Sequence, residues 1–187
     1  NYITAPFANR QSDIYRIVVK DPTTQVTMNG AILPSNTLIS NSYYQIKNSQ
    51  PNIISSDKPI LVVQYMTSQT CDTRNVPTVL YPGDPEIITI NPLEQTINNV
   101  SVVSARNNLT PPNTNITAHY LNVLMKTANT GSLKIDGAVP TASWIAIPNS
   151  EYSYIQENVT GSTNSNPSHN IKADSGFIAL AYGMGNV

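Results

Sequence analysis

The chain has 187 residues, 40% of them hydrophobic, and a formal charge of −1 at pH 7. That length holds one large domain or two small ones with a real core, and the recurrence of Val, Ile and Tyr at low net charge excludes disorder. Ten Lys and Arg scattered in ones and twos exclude the concentrated basic face that a nucleic-acid partner needs, and no apolar run approaches the ~18 residues that span a bilayer.

The first predicted strand covers Asp13 to Lys20, with Tyr15, Ile17 and Val19 on one face and Ile14, Arg16 and Val18 on the other. Gln25 to Met28 alternates next and runs into Asn29-Gly30, a dipeptide suited to the positive φ values of a tight hairpin. Tyr43 to Lys47 alternates again, and Ile60 to Met66 is a longer apolar run that predicts a central strand covered on both sides. Glu86 to Ile90 and Ile97 to Ser104 are strand candidates inside a Pro-rich stretch, and they are expected to add to the sheets. A further strand pair is predicted at Leu121–Lys126 and Leu133–Ile135, and a closing apolar strand at Phe177–Tyr182. Fourteen prolines and no sustained 3.6-residue period leave almost no room for helix.

Three blocks recur in the same order. Tyr15–Lys20 is echoed by Leu121–Lys126, Val26–Ala31 by Leu133–Ala138, and Asp57–Tyr65 by Asp174–Tyr182. Tyrosine pairs fall between the later blocks, at Tyr43 and Tyr44 in one half and Tyr152 and Tyr154 in the other. The expected fold is therefore all-β, with two related β-sandwich halves of Ig-like or jelly-roll-like kind arising from an internal duplication. The expected boundaries are residues 1–66 for the first repeat, 67–118 for connecting strands and Pro-rich loops, and 119–187 for the second repeat.

Only 11% of residues are charged, and Asn, Thr, Ser and Tyr take their place, a surface common in secreted β proteins. Cys71 is the only cysteine, so the chain has no internal disulfide; it reads as a small buried hydrophobe rather than a reactive thiol. No signal peptide is visible, because Asn1 opens straight into strand-like sequence, and the chain reads as cut from a larger protein. Four sequons, starting at Asn99, Asn108, Asn115 and Asn158, are expected by chance in so Asn- and Thr-rich a chain.

Few residues carry chemistry. His119 starts an alternating strand and His169 lies in Asn166-Pro167-Ser168-His169-Asn170, which reads as a turn. Nucleophilic catalysis needs a nucleophile, a base and an orienting acid in contact, and no Gly-x-Ser-x-Gly elbow is present. Asp84, Glu86 and Glu94 cluster near a turn, but a glycosidase needs two carboxylates at a set separation across a cleft, so turn capping is the simpler reading. Asp13, Asp57 and Asp174 each fall where a loop meets a strand; each suits a turn cap better than a calcium ligand. Gly183-Met184-Gly185 is followed by no helix and is no phosphate loop. Trp144 alternates with Ala142 and Ala146 and reads as a core or half-buried residue. No catalytic, cofactor-binding or metal-binding residue is assigned, no cofactor is expected, and the ligand-binding residues stay open.

Several segments resemble the IgGFc-binding protein N-terminal domain family. They are Tyr2–Arg10, Ile54–Pro59 with Val63–Met66, Asn91–Thr96, Lys126–Gly137, and Ala173–Phe177 running into Ala181–Gly183. The resemblance covers nearly the whole chain and starts partway into the family's domain. It implies an extracellular or cell-surface adhesion or binding role, as in large secreted or surface proteins including very long bacterial ones. It carries over no catalytic residue, and the antibody binding in the family's name does not transfer with it. The expected function is a non-enzymatic adhesion, binding or spacer module that recognises an unknown protein or glycan through loops at the sandwich ends. A carbohydrate-binding module is the alternative. A glycoside hydrolase fragment or a strand-exchanging filament subunit is less favoured. Neighbouring domains or further copies are the other expected partners, with no membrane insertion.

Overall fold

The computed structural model describes residues 1–68, 71, 83, 85–104 and 115–186. The fold is all-β with antiparallel sheets, and the chain divides into two compact units, Asn1–Val76 with Pro85–Gln95 and Pro77–Asp84 with Thr96–Val187.

In the first unit, one sheet runs β1 (Tyr2–Thr4), β6 (Asn52–Ser56), β3 (Val26–Met28), β4 (Ala31–Ile32). The other runs β5 (Tyr43–Asn48), β2 (Asp13–Val19), β7 (Ile60–Met66), β8 (Ile87–Thr89). The period of two in β2 buries Asp13, Tyr15, Ile17 and Val19 and leaves Ile14, Arg16 and Val18 half-exposed. Ile17 and Val62 from one sheet and Val26, Met28 and Ile54 from the other share one core, so the two sheets pack as a sandwich. Central β7 is not covered on both sides as its apolar run predicts: Leu61 is 43% exposed on the outward face.

The second unit uses β9 (Ile97–Val103), β10 (Asn115–Lys126), β11 (Lys134–Ile135), β12 (Ile145–Ala146), β13 (Tyr152–Asn158), the short helix α1 (Thr160–Ser165) and β14 (Ser168–Asn186). Long β14 serves two layers. Its first residues pair with β9 and β11, and from Phe177 onward it pairs with β10. Leu121 and Val123 of β10, Ile155 of β13, Ile135 of β11, and Ile171 and Phe177 of β14 close the core between those layers. The two strand candidates of the Pro-rich stretch part company: β8 joins β7 and β9 joins β14.

The units repeat several local arrangements. The orders β5-β2-β7 and β13-β10-β14 both place the earliest of three strands between the next and the last. Asn29-Gly30 and Asp136-Gly137 both turn with two positive φ values, 51° and 84° against 53° and 80°. In each turn the first residue's side chain accepts an N–H from a neighbouring strand, Ile53 N–H to Asn29 and Asn170 N–H to Asp136, both at 2.8 Å. Its own N–H returns the bond to the same residue, again at 2.8 Å in both units.

The units differ at the closing strand. Asp57-Lys58-Pro59 breaks the chain into β6 and β7, where proline supplies no N–H to a ladder, whereas Asp174-Ser175-Gly176 lies inside β14. Gly176 is needed there, because a β-carbon would overlap the Thr96 side chain. Gly176→Ala is expected to cost ~1–3 kcal/mol through that overlap, measured by urea denaturation. Gly131→Ala should leave the midpoint unchanged, because an added β-carbon there meets nothing within 4 Å.

Candidate binding surface

His119 lies in a strand, β10, as the sequence predicts, whereas His169 is not where the sequence places it. His169 belongs to β14, not to a turn: Asn166 and Pro167 make the turn and the strand begins at Ser168. The imidazole is fully buried. Its Nδ1 lies 2.7 Å from Asp136 Oδ2 and its Nε2 lies 2.8 Å from Thr163 Oγ1. A carboxylate only accepts, so Nδ1 carries a proton. Asp, His and a hydroxyl in this order resemble a hydrolytic relay, but Thr163 is also fully buried and its hydroxyl lies 2.8 Å from Val159 O. A nucleophile sealed from substrate does no hydrolysis, so the trio pins helix α1, the Asp136 hairpin and β14 together. His119 is buried too, its Nε2 has no hydrogen-bond partner among the described residues, and burial, with the nearby His169, holds its imidazole below the usual value.

A second buried polar group sits in the first unit. Asp13 Oδ2 accepts hydrogen bonds from Phe7 N–H at 2.8 Å and from Gln64 Nε2 at 2.9 Å, while Gln64 also donates to Ala5 O at 2.9 Å. Asp13 Oδ1 has no hydrogen-bond partner among the described residues. Burial pushes the Asp13 carboxyl up to about 6, against the opposing pull of its hydrogen bonds and of the Arg10 charge. The group tethers the loop before β2 from the inside and presents nothing to solvent.

Other candidate residues scatter. Asp57 caps a turn, accepting Gln25 N–H at 2.8 Å. Asp174 is exposed inside β14, not at a loop end. Glu86 and Glu94 are exposed, and Asp84 lies outside the described residues. Among the described residues no three His, Cys, Asp or Glu side chains converge on a metal position. Cys71 is exposed rather than buried. Trp144 is half-buried against the core of the second unit. Tyr44 and Tyr154 are buried, while Tyr43 and Tyr152 are partly exposed, so each tyrosine pair is split between core and surface.

What remains is the outward face of the sheet β5-β2-β7-β8. Pairing brings Arg16 opposite Gln45 on one side and Val63 on the other, with Tyr43 and Tyr65 one step away in opposite directions along the strands. The guanidinium lies over both rings, 4.9 Å from each centroid. Its Nε–H donates to Gln45 Oε1 at 2.8 Å and an Nη1–H donates to Tyr65 OH at 3.2 Å. The other N–H groups of this five-donor fork have no partner among the described residues. Around the clamp lie half-exposed Ile14 and Val18 and exposed Leu61 and Ile87. The corresponding face of the second unit is closed: Tyr120, Asn122, Leu124, Tyr154 and Tyr182 are all buried, with Tyr120 stacked on Tyr182 and the Tyr182 hydroxyl donating to Asn122.

The sequence missed this surface because Arg16, Tyr43 and Tyr65 meet only through strand register. The local signal is one arginine between Ile14 and Val18 on a strand whose other face is core. These features define an all-β scaffold of two sandwich-like units with a preorganised arginine and two tyrosines on an open sheet face. A family model described as IgGFc binding protein matches residues 1–183, and the chain belongs to that family. No curated protein and no solved structure matches the chain.

Proposed function

We propose that the chain is a non-enzymatic extracellular binding or adhesion module of a larger surface or secreted protein, and that its two units descend from one duplicated sandwich. In this reading 1–66 and 119–187 are the copies and 67–118 connects them, in keeping with the matched hairpins and strand orders. The observation that carries the binding role is the Arg16 clamp. Tyrosine and arginine dominate binding hot spots because they offer large rigid contact area and directional donors together. Stacking between two rings fixes the guanidinium in advance, so less entropy is lost when a partner's carboxylate docks. The family's description speaks of binding the Fc part of IgG, which favours a protein ligand over a sugar. The splitting of each tyrosine pair and the packing of Trp144 on the core weigh against a planar sugar-stacking strip.

The test is a binding screen of the whole chain against IgG Fc, matrix proteins and a glycan array, with each hit assayed for hydrolysis. The expected result is a protein ligand, unaltered by the encounter. Arg16→Ala should weaken its binding roughly 10- to 100-fold, the range of a hot-spot arginine, while the same change at Lys134, in the other unit, leaves it as it was. Turnover of any screened substrate would sink this reading.

A further inference from the structure

We infer that the free edge of β9 pairs with the β9 of a second copy of this chain, antiparallel and centred on Ser101. This goes beyond the binding role proposed for the Arg16 face and uses the other unit. β9 lies at the border of its layer and, among the described residues, is paired on one side only, with β14. Ser104 N–H donates to Pro167 O in the same register, at 2.8 Å. In an antiparallel ladder the bonding residues alternate, so Val102 and Val100 direct their backbone groups at β14. Asn99, Ser101 and Val103 direct theirs outward, where no partner exists among the described residues.

Unpaired edges are a hazard that folds blunt by shortness, charge, proline or cover. Among the described residues, the other strands that end a sheet follow that rule. β1, β4, β8, β11 and β12 are two or three residues long. β5 carries Lys47 among its edge-facing residues, and the edge of β13 is covered by β12 and by Thr141 and Ala142, whose N–H groups donate to Glu157. β9 has seven residues, none charged and none proline, and it exposes Ile97 at 44% and Val103 at 76%.

The occupant follows from self-complementarity. A twofold axis at Ser101 sets Ser101 against Ser101 and Asn99 against Val103 of the other copy. Each pair exchanges an N–H and a C=O in both directions. With no charge on the strand, no like charges meet across the axis, which is the usual obstacle to an isologous edge contact. Lys47 would create that obstacle on β5. The contact is small, so the dimer is weak and reversible.

Sedimentation velocity of the whole chain from micromolar to near-millimolar concentration tests this, together with amide hydrogen exchange at both ends of the range. The expected result is a monomer–dimer equilibrium in which the amides of Asn99, Ser101 and Val103 become protected as concentration rises, while those of Val100 and Val102 are protected throughout. Ser101→Lys, which points two ammonium groups at each other, should raise the dimer Kd at least tenfold. Ser101→Pro removes only an outward N–H and should do the same without unfolding the unit. A chain that stays monomeric overturns the inference and leaves the edge to a strand of another protein; so does a dimer that both variants leave intact.

Discussion

His169→Ala is expected to destabilise the second unit by about 3 kcal/mol, the cost of a buried polar hub that loses its middle member. The imidazole satisfies the Asp136 carboxylate on one side and faces the Thr163 hydroxyl on the other. Truncation leaves both without that partner and opens a cavity beside core residue Ile171, its near neighbour on β14. It also unties α1 from the Asp136-Gly137 hairpin, so local loosening precedes global unfolding. His169→Asn should cost only about half as much, because an amide can still donate to Asp136. In the first unit an amide fills the matching strand position with the direction reversed: Asn52 accepts a bond from hairpin residue Asn29 at 3.2 Å. Trp144 is the only tryptophan and packs against this core. Its fluorescence through a urea titration therefore reports this unit directly. An unchanged midpoint for His169→Ala would mean that the pin is ornamental.

The first unit is expected to lose stability as pH rises, through Asp13. Its folded carboxyl titrates at about 6, against an ordinary carboxylate value of 3.8. Below the ordinary value both folded and unfolded chains hold the proton, and the stabilising contribution is complete. Between the two values the unfolded chain has released its proton while the folded chain keeps it, so stability falls. Above about 6 the loss is complete. Two pH units of difference correspond to about 3 kcal/mol. The cause is burial, with one carboxylate oxygen unpartnered among the described residues and the hydrogen bonds of the other only partly offsetting it. Asp13→Asn keeps an acceptor for Phe7 N–H and removes the charge, so it should flatten this slope and be at least as stable as the parent chain at pH 7.5. Amide exchange at Ile17 and Val62, both in the core of this unit, measured from pH 4 to 8, separates the effect from events in the other unit.

The strands and hairpins are legible in the sequence because their signals are local. Alternation in Asp13–Lys20 is a property of neighbouring residues, and Asn29-Gly30 and Asp136-Gly137 take positive φ wherever they sit. The failures share one physical origin. His169 reads as a turn residue because turn residues stand just before it, and its burial depends on Asp136 and Thr163, which other elements bring to it. The need for glycine at 176 inside β14 comes from Thr96, which another segment brings against it. The Arg16 clamp needs β5 and β7 to flank β2 in one register out of several. Alternation says which face of a strand is wet; it does not say which wet residues meet. Cys71, expected to be buried from residue type alone, is exposed, since frequency of burial describes a residue class and not a position.

Recognition at the Arg16 face competes with recognition at the loops that end the sandwiches, and mapping the contact separates the two. The whole chain, isotope-labelled and titrated with the strongest protein hit of the binding screen, gives a chemical-shift map residue by residue. The expected map centres on Arg16, Tyr43, Tyr65, Leu61 and Ile87. Shifts confined to the Asn29-Gly30 or Asp136-Gly137 ends, or to the second unit, would contradict it.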